Sequence, residues 1–236
     1  MSAGREKLLI AIVMQTLIAT MFSVAQGWNG AVATPPPEWL VLGVDHRIPL
    51  VPTSVWLYAS WYIAPIVVVF ADRATFRRAA VAVLLGFLVC AIGWVAVPAT
   101  MPRPALEGES GASIAMLETV YRMDPPSNLF PSFHATLAAI IARVAAVTAT
   151  PLSPLVRAWM IAICASCVAT KQHYVLDVLA GVLVGLGSWS GTLRLANYLG
   201  RGRAPRLGRD HRIAPPIAST SATSNATSVE SGISAS

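Results

Sequence analysis

The stretch that decides the fold of this chain is Thr170-Lys171-Gln172-His173-Tyr174-Val175-Leu176-Asp177, at the start of a long apolar segment. On a helix, His173 and Asp177 lie four residues apart and therefore on one face. A carboxylate beside an imidazole holds the ring in one tautomer and stabilises its positive charge. An acid in a membrane span is costly, so its presence there indicates a function. His134, in Pro131-Ser132-Phe133-His134, opens another apolar segment, and the pattern predicts chemistry at a membrane edge.

The composition is that of an integral membrane protein. Of the 236 residues, 55% are hydrophobic and only 12% are charged, which fits a membrane-embedded chain better than a soluble domain. The formal net charge of +6 lies mostly in short loops and in the segment after Leu199, a distribution typical of membrane topology. We expect no nucleic-acid partner, because the sequence has no basic binding pattern interleaved with aromatic residues.

The cysteines and the remaining histidines predict no metal site. Cys90, Cys164 and Cys167 all lie within apolar stretches, where packing is the better interpretation of the Cys-x-x-Cys spacing. His46 and His211 are isolated in the sequence. The sequence therefore predicts neither a metal nor a cofactor.

Six apolar runs approach the roughly 20 residues, at about 1.5 Å each, that a helix needs to cross a bilayer. They lie at residues 8–25, 50–71, 79–97, 131–149, 155–170 and 174–198. The predicted fold is all-α: a six-transmembrane-helix bundle over residues 1–200, followed by a basic and then disordered cytoplasmic tail over residues 201–236. The first run also resembles a signal peptide, but its length favours a retained helix.

The basic residues orient this bundle. They precede span one, lie between spans two and three and between spans four and five, and follow span six. All these positions share one side of a six-span bundle, and the positive-inside rule makes that side cytoplasmic. We therefore predict a multi-pass protein of a cell membrane, of the bacterial plasma-membrane type, with both termini in the cytoplasm. Arg103, His134, His173 and Asp177 then converge on the extracytoplasmic face.

Three blocks together resemble the type-2 phosphatidic-acid phosphatase superfamily. They are Pro102-Arg103-Pro104, Pro131-Ser132-Phe133-His134 and His173-x-x-x-Asp177. The family patterns are Lys-x6-Arg-Pro, Pro-Ser-Gly-His and Ser-Arg-x5-His-x3-Asp, and their order, spacing and membrane context match over roughly residues 45–190.

The chain departs from the family pattern at three positions. Ala96, Phe133 and Cys167 stand where the family has lysine, glycine and arginine. With these changes, Phe130-Pro131-Ser132-Phe133-His134 and His173-Tyr174-x-x-Asp177 look like the inositol phosphorylceramide synthase branch.

The resemblance implies a lipid phosphate phosphatase or an inositol-phosphate headgroup transferase that forms a phosphohistidine. His173, oriented by Asp177, would attack phosphorus, while His134 would protonate the leaving oxygen and later deprotonate the acceptor. By residue type, Arg103, Ser132 and Lys171 are the candidates for holding the phosphate. The expected partner is a membrane lipid, with inositol or a lipid alcohol as acceptor.

Several alternatives remain open at this point. Hydrolysis competes with transfer, and a non-catalytic membrane transporter or scaffold is favoured by the missing lysine and arginine. The acidic residues of the long loop are interpreted as a solvated face; they are Glu107, Glu109, Glu118 and Asp124. Three aromatic residues either form an interfacial belt or line a lipid entry; they are Trp56, Trp61 and Tyr62.

The glycines of the last apolar run predict a close helix contact. Gly181 and Gly185 continue the four-residue stack below His173 and Asp177. Small residues there let another helix approach closely, either to fix the catalytic pair or as ordinary membrane-helix packing.

Overall fold

The computed structural model describes residues 2–201. Their eight α-helices are α1 Ala3–Val32, α2 Val55–Ala59, α3 Ile66–Val69, α4 Arg73–Ala96, α5 Ala112–Met123, α6 Phe133–Thr148, α7 Ser153–Ala169 and α8 Val175–Arg201. Short 3₁₀ turns cover Glu38–Leu40, Pro52–Ser54 and Ser60–Tyr62. Within this range the only extended pairing is a single bridge between Thr34 and Ala99. The all-α prediction is confirmed, and the predicted tail from residue 202 onward lies outside the described residues.

Within residues 2–201, four segments are long and apolar enough to cross a membrane: Ala3–Val32, Pro52–Val69, Arg73–Ala96 and Val175–Leu195. The two other apolar helices, α6 and α7, have only 16 and 17 residues. At 1.5 Å per residue they reach about 24–26 Å, against a hydrocarbon core of roughly 30 Å. Six apolar segments are therefore present where the sequence predicts them, but the count of six membrane spans stays a prediction.

The second apolar segment is a broken helix. The sequence predicts one span over residues 50–71, whereas the structure divides Pro52–Val69 into short α and 3₁₀ turns. Pro65 lies at the start of α3, and proline interrupts a helix because it has no N–H to donate and its ring crowds the preceding turn.

Polar contacts fasten α1 to α4 at one end of the bundle. Asp72 caps α4 by accepting hydrogen bonds from the backbone N–H groups of its first turn, as aspartate favours at a helix start. The buried Glu6 of α1 pairs with Arg73 and Arg77 of α4. Lys7 Nζ donates to the carbonyl of Val69 over 2.9 Å. These contacts join α1 to α4, and the retention of the first helix stays a prediction.

Helix α6 is the centre of the bundle, and α8 packs closely against it. Nearly the whole first three turns of α6 are buried. A Cβ atom at Gly181 or Gly185 would lie within 3.0 Å of the carbonyl oxygen of Ser132 or Thr136, respectively. Only glycine permits this approach, so the predicted close helix contact is confirmed.

The other end of the bundle holds the predicted chemistry. Trp94, near the end of α4, donates its indole N–H to the carbonyl of Pro131 over 3.0 Å, and the backbone N–H of Ser132 donates to the carbonyl of Asp177 over 3.0 Å. The starts of α6 and α8 therefore lie together, at the end of α4 opposite the Glu6 cluster. The amphipathic helix α5 covers part of the long loop here, and the sequence analysis did not predict it.

Candidate active site

The two predicted histidines meet at this end of the bundle. His134 Nδ1 lies 3.2 Å from His173 Nε2, and both side chains are buried. His134 is in the first turn of α6, which Ser132 caps by accepting a hydrogen bond from Ala135 N. His173 lies in the short turn between α7 and α8, where Lys171 has a φ of 55° and its N–H closes the end of α7 on the carbonyl of Val168. The start of α6 and the turn between α7 and α8 therefore bring the two imidazole rings together.

Asp177 lies behind His173. Its Oδ2 is 3.5 Å from His173 Nδ1 and accepts a 2.9 Å hydrogen bond from the backbone N–H of Tyr174. This second contact resembles a capping box, in which an acid in the first helical turn satisfies a donor at the helix start. One fully buried carboxylate therefore both starts α8 and faces the imidazole.

Asp124 belongs to the site, so its interpretation as part of a solvated face is wrong. Its side chain is buried, and Tyr58 donates its hydroxyl to Asp124 Oδ2 over 2.5 Å. Tyr58 Oη also lies 2.8 Å from His134 Nε2, and Asp124 Oδ2 is 3.6 Å from the same nitrogen. The three other acidic residues of that loop are exposed, as predicted.

The hydrogen-bond pattern around His134 is compatible with a doubly protonated ring. Tyr58 has one proton, which it gives to Asp124, so its oxygen accepts from His134 Nε2–H. If His173 carries its proton on Nδ1, 3.5 Å from Asp177 Oδ2, its Nε2 lone pair accepts from His134 Nδ1–H. Both ring nitrogens of His134 face an acceptor when that ring is doubly protonated, whereas His173 Nδ1 and Asp177 Oδ1 have no hydrogen-bond partner. A charged His134 beside Asp124 and a neutral His173 are the states that an acid and a nucleophile require.

Arg103 reaches the site but is bound to backbone carbonyls. It donates to Tyr121 O over 2.8 Å and to Asp124 O over 2.5 Å, and also to Gln172 Oε1. Its guanidinium stacks on the ring of Tyr121, with 4.2 Å to the centroid. Burial lowers the pKa of Arg103 and the Asp124 carboxylate opposes that shift, but an arginine remains charged at neutral pH.

Lys171 lies beside the site and points away from it. Its Nζ donates to the carbonyls of Asp45 and Ile48 over 3.2 and 2.6 Å. Asp45 in turn accepts a 2.9 Å hydrogen bond from Val175 N at the start of α8. Lys171 thus holds the loop at residues 42–48, and its role in phosphate binding stays a prediction.

A small cavity of about 10 Å³, room for about one water molecule, is lined by both imidazoles. Its polar lining also includes Asp124, Asn128 and Gln172, while apolar side chains complete the wall; they are Phe22, Trp94, Pro125, Pro126, Leu129 and Phe133. Sequence analysis did not single out Asn128 or Gln172. For Gln172, the available signal was its position directly before His173.

An apolar groove of about 280 Å³ begins on the other side of Phe133. Helix α1, the Pro52–Val69 segment, α4 and α6 form its walls. Trp61 and Tyr62 line this groove, and the choice between an interfacial belt and a lipid entry stays open for them. Trp56 is exposed and donates instead to Ser113 Oγ.

No group of three His, Cys, Asp or Glu side chains within residues 2–201 is placed to hold a metal ion. The cysteines of this range that the sequence singled out are unpaired, and two of them, Cys90 and Cys167, are buried among apolar neighbours. The chemistry available here is that of paired imidazoles with carboxylate support.

Long apolar helices around a buried histidine pair are typical of a membrane protein with a polar site inside its helical bundle. The chain belongs to the PAP2 superfamily, whose family model matches residues 27–190, a range that includes both histidines and both buried carboxylates. Members are generally phosphatases or phosphotransferases, so membership indicates phosphatase-type activity. No curated protein and no solved structure matches the chain significantly.

Proposed function

We propose that this protein is an integral membrane enzyme that removes or transfers the phosphoryl group of a lipid phosphate or an inositol phospholipid through a phosphohistidine at His173. The observation that carries the proposal is the 3.2 Å contact between His173 Nε2 and His134 Nδ1, with Asp177 behind the first ring. A nucleophile, an acid and an orienting carboxylate thus lie within reach of one substrate atom.

The reaction has two balanced steps. The phosphoryl group of the substrate first enters between the two imidazoles and separates them. His173 Nε2 then forms a bond to phosphorus as the bond from phosphorus to the lipid oxygen breaks. His134 Nδ1–H gives its proton to that oxygen. In the second step, water or an acceptor alcohol returns a proton to His134 Nδ1 while its oxygen attacks phosphorus and the N–P bond breaks. Throughout both steps, His134 Nε2–H remains hydrogen-bonded to Tyr58 Oη, and the Asp124 carboxylate balances the positive charge of the imidazolium.

Phosphate binding in this proposal combines one cation with helix-end donors. Arg103 is the guanidinium within reach of Asp124 and Gln172, and it exchanges backbone carbonyls for phosphoryl oxygens when substrate enters. Ser132 supports the site through the start of α6, where backbone N–H groups favour an anion. Lys171 contributes only if it releases the carbonyls of Asp45 and Ile48.

The apolar groove supports a lipid substrate. Phe133 lines both the groove and the histidine cavity, and three of the four segments that form the groove are long enough to cross a membrane. A hydrocarbon chain in this groove would bring the attached phosphoryl group to the histidines, and the bulky side chain of Phe133 would limit the entry of water.

Filling the groove should weaken the use of long-chain substrates. Ala80 lines the groove and Val81, the next residue of α4, is exposed. We expect Ala80→Phe to raise KM for a long-chain lipid phosphate about tenfold, because displacing two buried methylenes costs about 1.6 kcal/mol. KM for a water-soluble aryl phosphate should stay unchanged.

Val81→Phe is the matched control, since it adds the same ring outside the groove. Steady-state kinetics of both variants in detergent micelles measure the effect. Equal KM changes for the two substrates in Ala80→Phe would remove the groove from the proposal.

Hydrolysis and transfer differ in the group that accepts the phosphoryl group, which is water in hydrolysis and an alcohol in transfer. The inositol phosphorylceramide synthase resemblance favours transfer, and we propose headgroup exchange between an inositol phospholipid and a lipid alcohol, alongside slower hydrolysis. Assays of the purified protein on a panel of lipid phosphates, with and without myo-inositol, test this. Labelled lipid product supports transfer; free phosphate alone, across several lipid-alcohol acceptors, identifies a phosphatase. No turnover and no phosphoenzyme would favour the non-catalytic scaffold or transporter.

The predicted orientation has its own test. Ser110 and Thr150 are both exposed, in loops at opposite ends of the bundle. In a background with the three native cysteines replaced by alanine, we expect an impermeant thiol reagent on intact cells to label Ser110→Cys and to miss Thr150→Cys. Labelling after membrane disruption is the control for reactivity. The opposite pattern would place the site on the cytoplasmic side.

A further inference from the structure

Two carboxamide side chains in the histidine cavity have buried donors without a partner. Gln172 and Asn128 both line the cavity, and they are only 3% and 6% exposed. Gln172 Nε2 and Asn128 Nδ2 have no hydrogen-bond acceptor. A buried donor without a partner is costly and rare in folded proteins, so two of them in one cavity indicate a ligand rich in acceptors.

The orientation of both amides is fixed by their oxygen atoms. Gln172 Oε1 accepts from the Arg103 guanidinium, which leaves Nε2 free for the cavity. Asn128 Oδ1 accepts from Asn29 Nδ2 over 2.8 Å, and that same Asn29 nitrogen donates to Ser127 O over 3.1 Å. Because a carbonyl can only accept, the Asn29 amide cannot be reversed, and neither can that of Asn128.

We propose that Gln172 Nε2 and Asn128 Nδ2 bind the non-bridging oxygens of the phosphoryl group that reacts at His173. This inference rests on the proposed function and adds two phosphate-binding residues to it. Neutral amides would then supply donors in a site that has Ala96 and Cys167 where the family pattern has cations.

The charges of the cavity give the proposal a substrate preference. In the proposed mechanism Arg103 and a protonated His134 are balanced by Asp124 and Asp177, and Lys171 is bound to loop carbonyls. Amide donors add no charge to this balance. A phosphomonoester dianion would leave two uncompensated negative charges in a buried site, whereas a phosphodiester leaves one. The site is therefore suited to a singly charged phosphodiester.

Two short-chain lipids that differ in the charge of their phosphate group test this preference. Dioctanoyl phosphatidic acid and dioctanoyl phosphatidylmethanol share the diacylglycerol leaving group and differ by one methyl ester, hence by one charge. We expect kcat/KM of the wild-type protein to be at least about tenfold higher for the phosphatidylmethanol. A tenfold preference for phosphatidic acid would overturn the charge argument.

Amide removal tests the donors themselves. Gln172→Met and Asn128→Leu keep side-chain volume, and each should lower kcat/KM about 100-fold, as the loss of a donor to a developing oxyanion does. Asn128→Leu does not touch Arg103 directly, so it separates donor loss from a change in the guanidinium. Asn197→Leu, at an exposed position of α8, should leave kcat/KM unchanged.

Orthovanadate binding provides a readout that does not need turnover. Its stabilisation of the detergent-solubilised protein against thermal unfolding should be lost in both amide variants and retained in Asn197→Leu. Folded amide variants that keep normal kcat/KM and vanadate binding would overturn this inference while leaving the proposed function intact. Vanadate binding that depends on the amides, in a wild-type protein that turns over no phospholipid, would support the amide site and overturn the function.

Discussion

His173→Asn should abolish turnover of every phosphorylated lipid while the protein still folds and inserts. Asparagine keeps polarity and approximate shape but cannot form a bond to phosphorus, so the covalent route is lost. We expect kcat to fall about 10⁴-fold or more, a loss typical of removing a nucleophile. Initial rates on the best lipid substrate measure this, with the thermal unfolding midpoint as a check on folding.

His46→Asn is the matched control, because His46 is exposed and outside the cavity. It should retain wild-type rates. A folded His173→Asn protein with near-normal activity would show that another group attacks phosphorus or that water attacks directly.

His134→Gln should have an effect that depends on the leaving group. The leaving alkoxide of a lipid alcohol needs the proton that His134 Nδ1 supplies, so kcat/KM should fall about 10²–10⁴-fold. With an aryl phosphate, whose phenolate leaves without a proton, the first step should slow by less than about tenfold. Burst kinetics with the aryl substrate separate formation of the phosphoenzyme from its breakdown.

The same comparison identifies what Tyr58 and Asp124 do. If they hold the charged state of His134, Tyr58→Phe should be more harmful with alkyl than with aryl leaving groups. A purely structural defect would slow both substrates equally. Equal losses in His134→Gln would mean that His134 is not the acid.

Much of the fold could be predicted from the local pattern of apolar residues. Each predicted run corresponds to helix, and Gly181 and Gly185 mark a real close contact, because helical spacing and side-chain size are local properties. The break in the second segment was missed, although Pro65 was visible within it. Helix α5 was missed because its apolar face lies in a short amphipathic stretch of a long polar loop.

The candidate site also has residues that the local sequence predicts and residues that it does not. His134, His173 and Asp177 were predicted together because each begins an apolar segment on one end of the bundle. Asp124 was misjudged, since its burial depends on Tyr58, 66 positions earlier in the chain, and no local pattern links the two. Asn128 is likewise set by Asn29 across 99 positions. Such pairings are decided by tertiary packing rather than by spacing.

The central claim is that phosphate is carried on His173. The most direct measurement is rapid denaturation of the protein during turnover of an aryl phosphate, followed by peptide mass spectrometry under neutral to alkaline conditions that preserve phosphohistidine. We expect phosphate on the peptide that contains His173, more of it in His134→Gln because breakdown lacks its base, and none in His173→Asn. Wild-type turnover with no phosphate on His173, under conditions in which His134→Gln also accumulates none, would contradict the account.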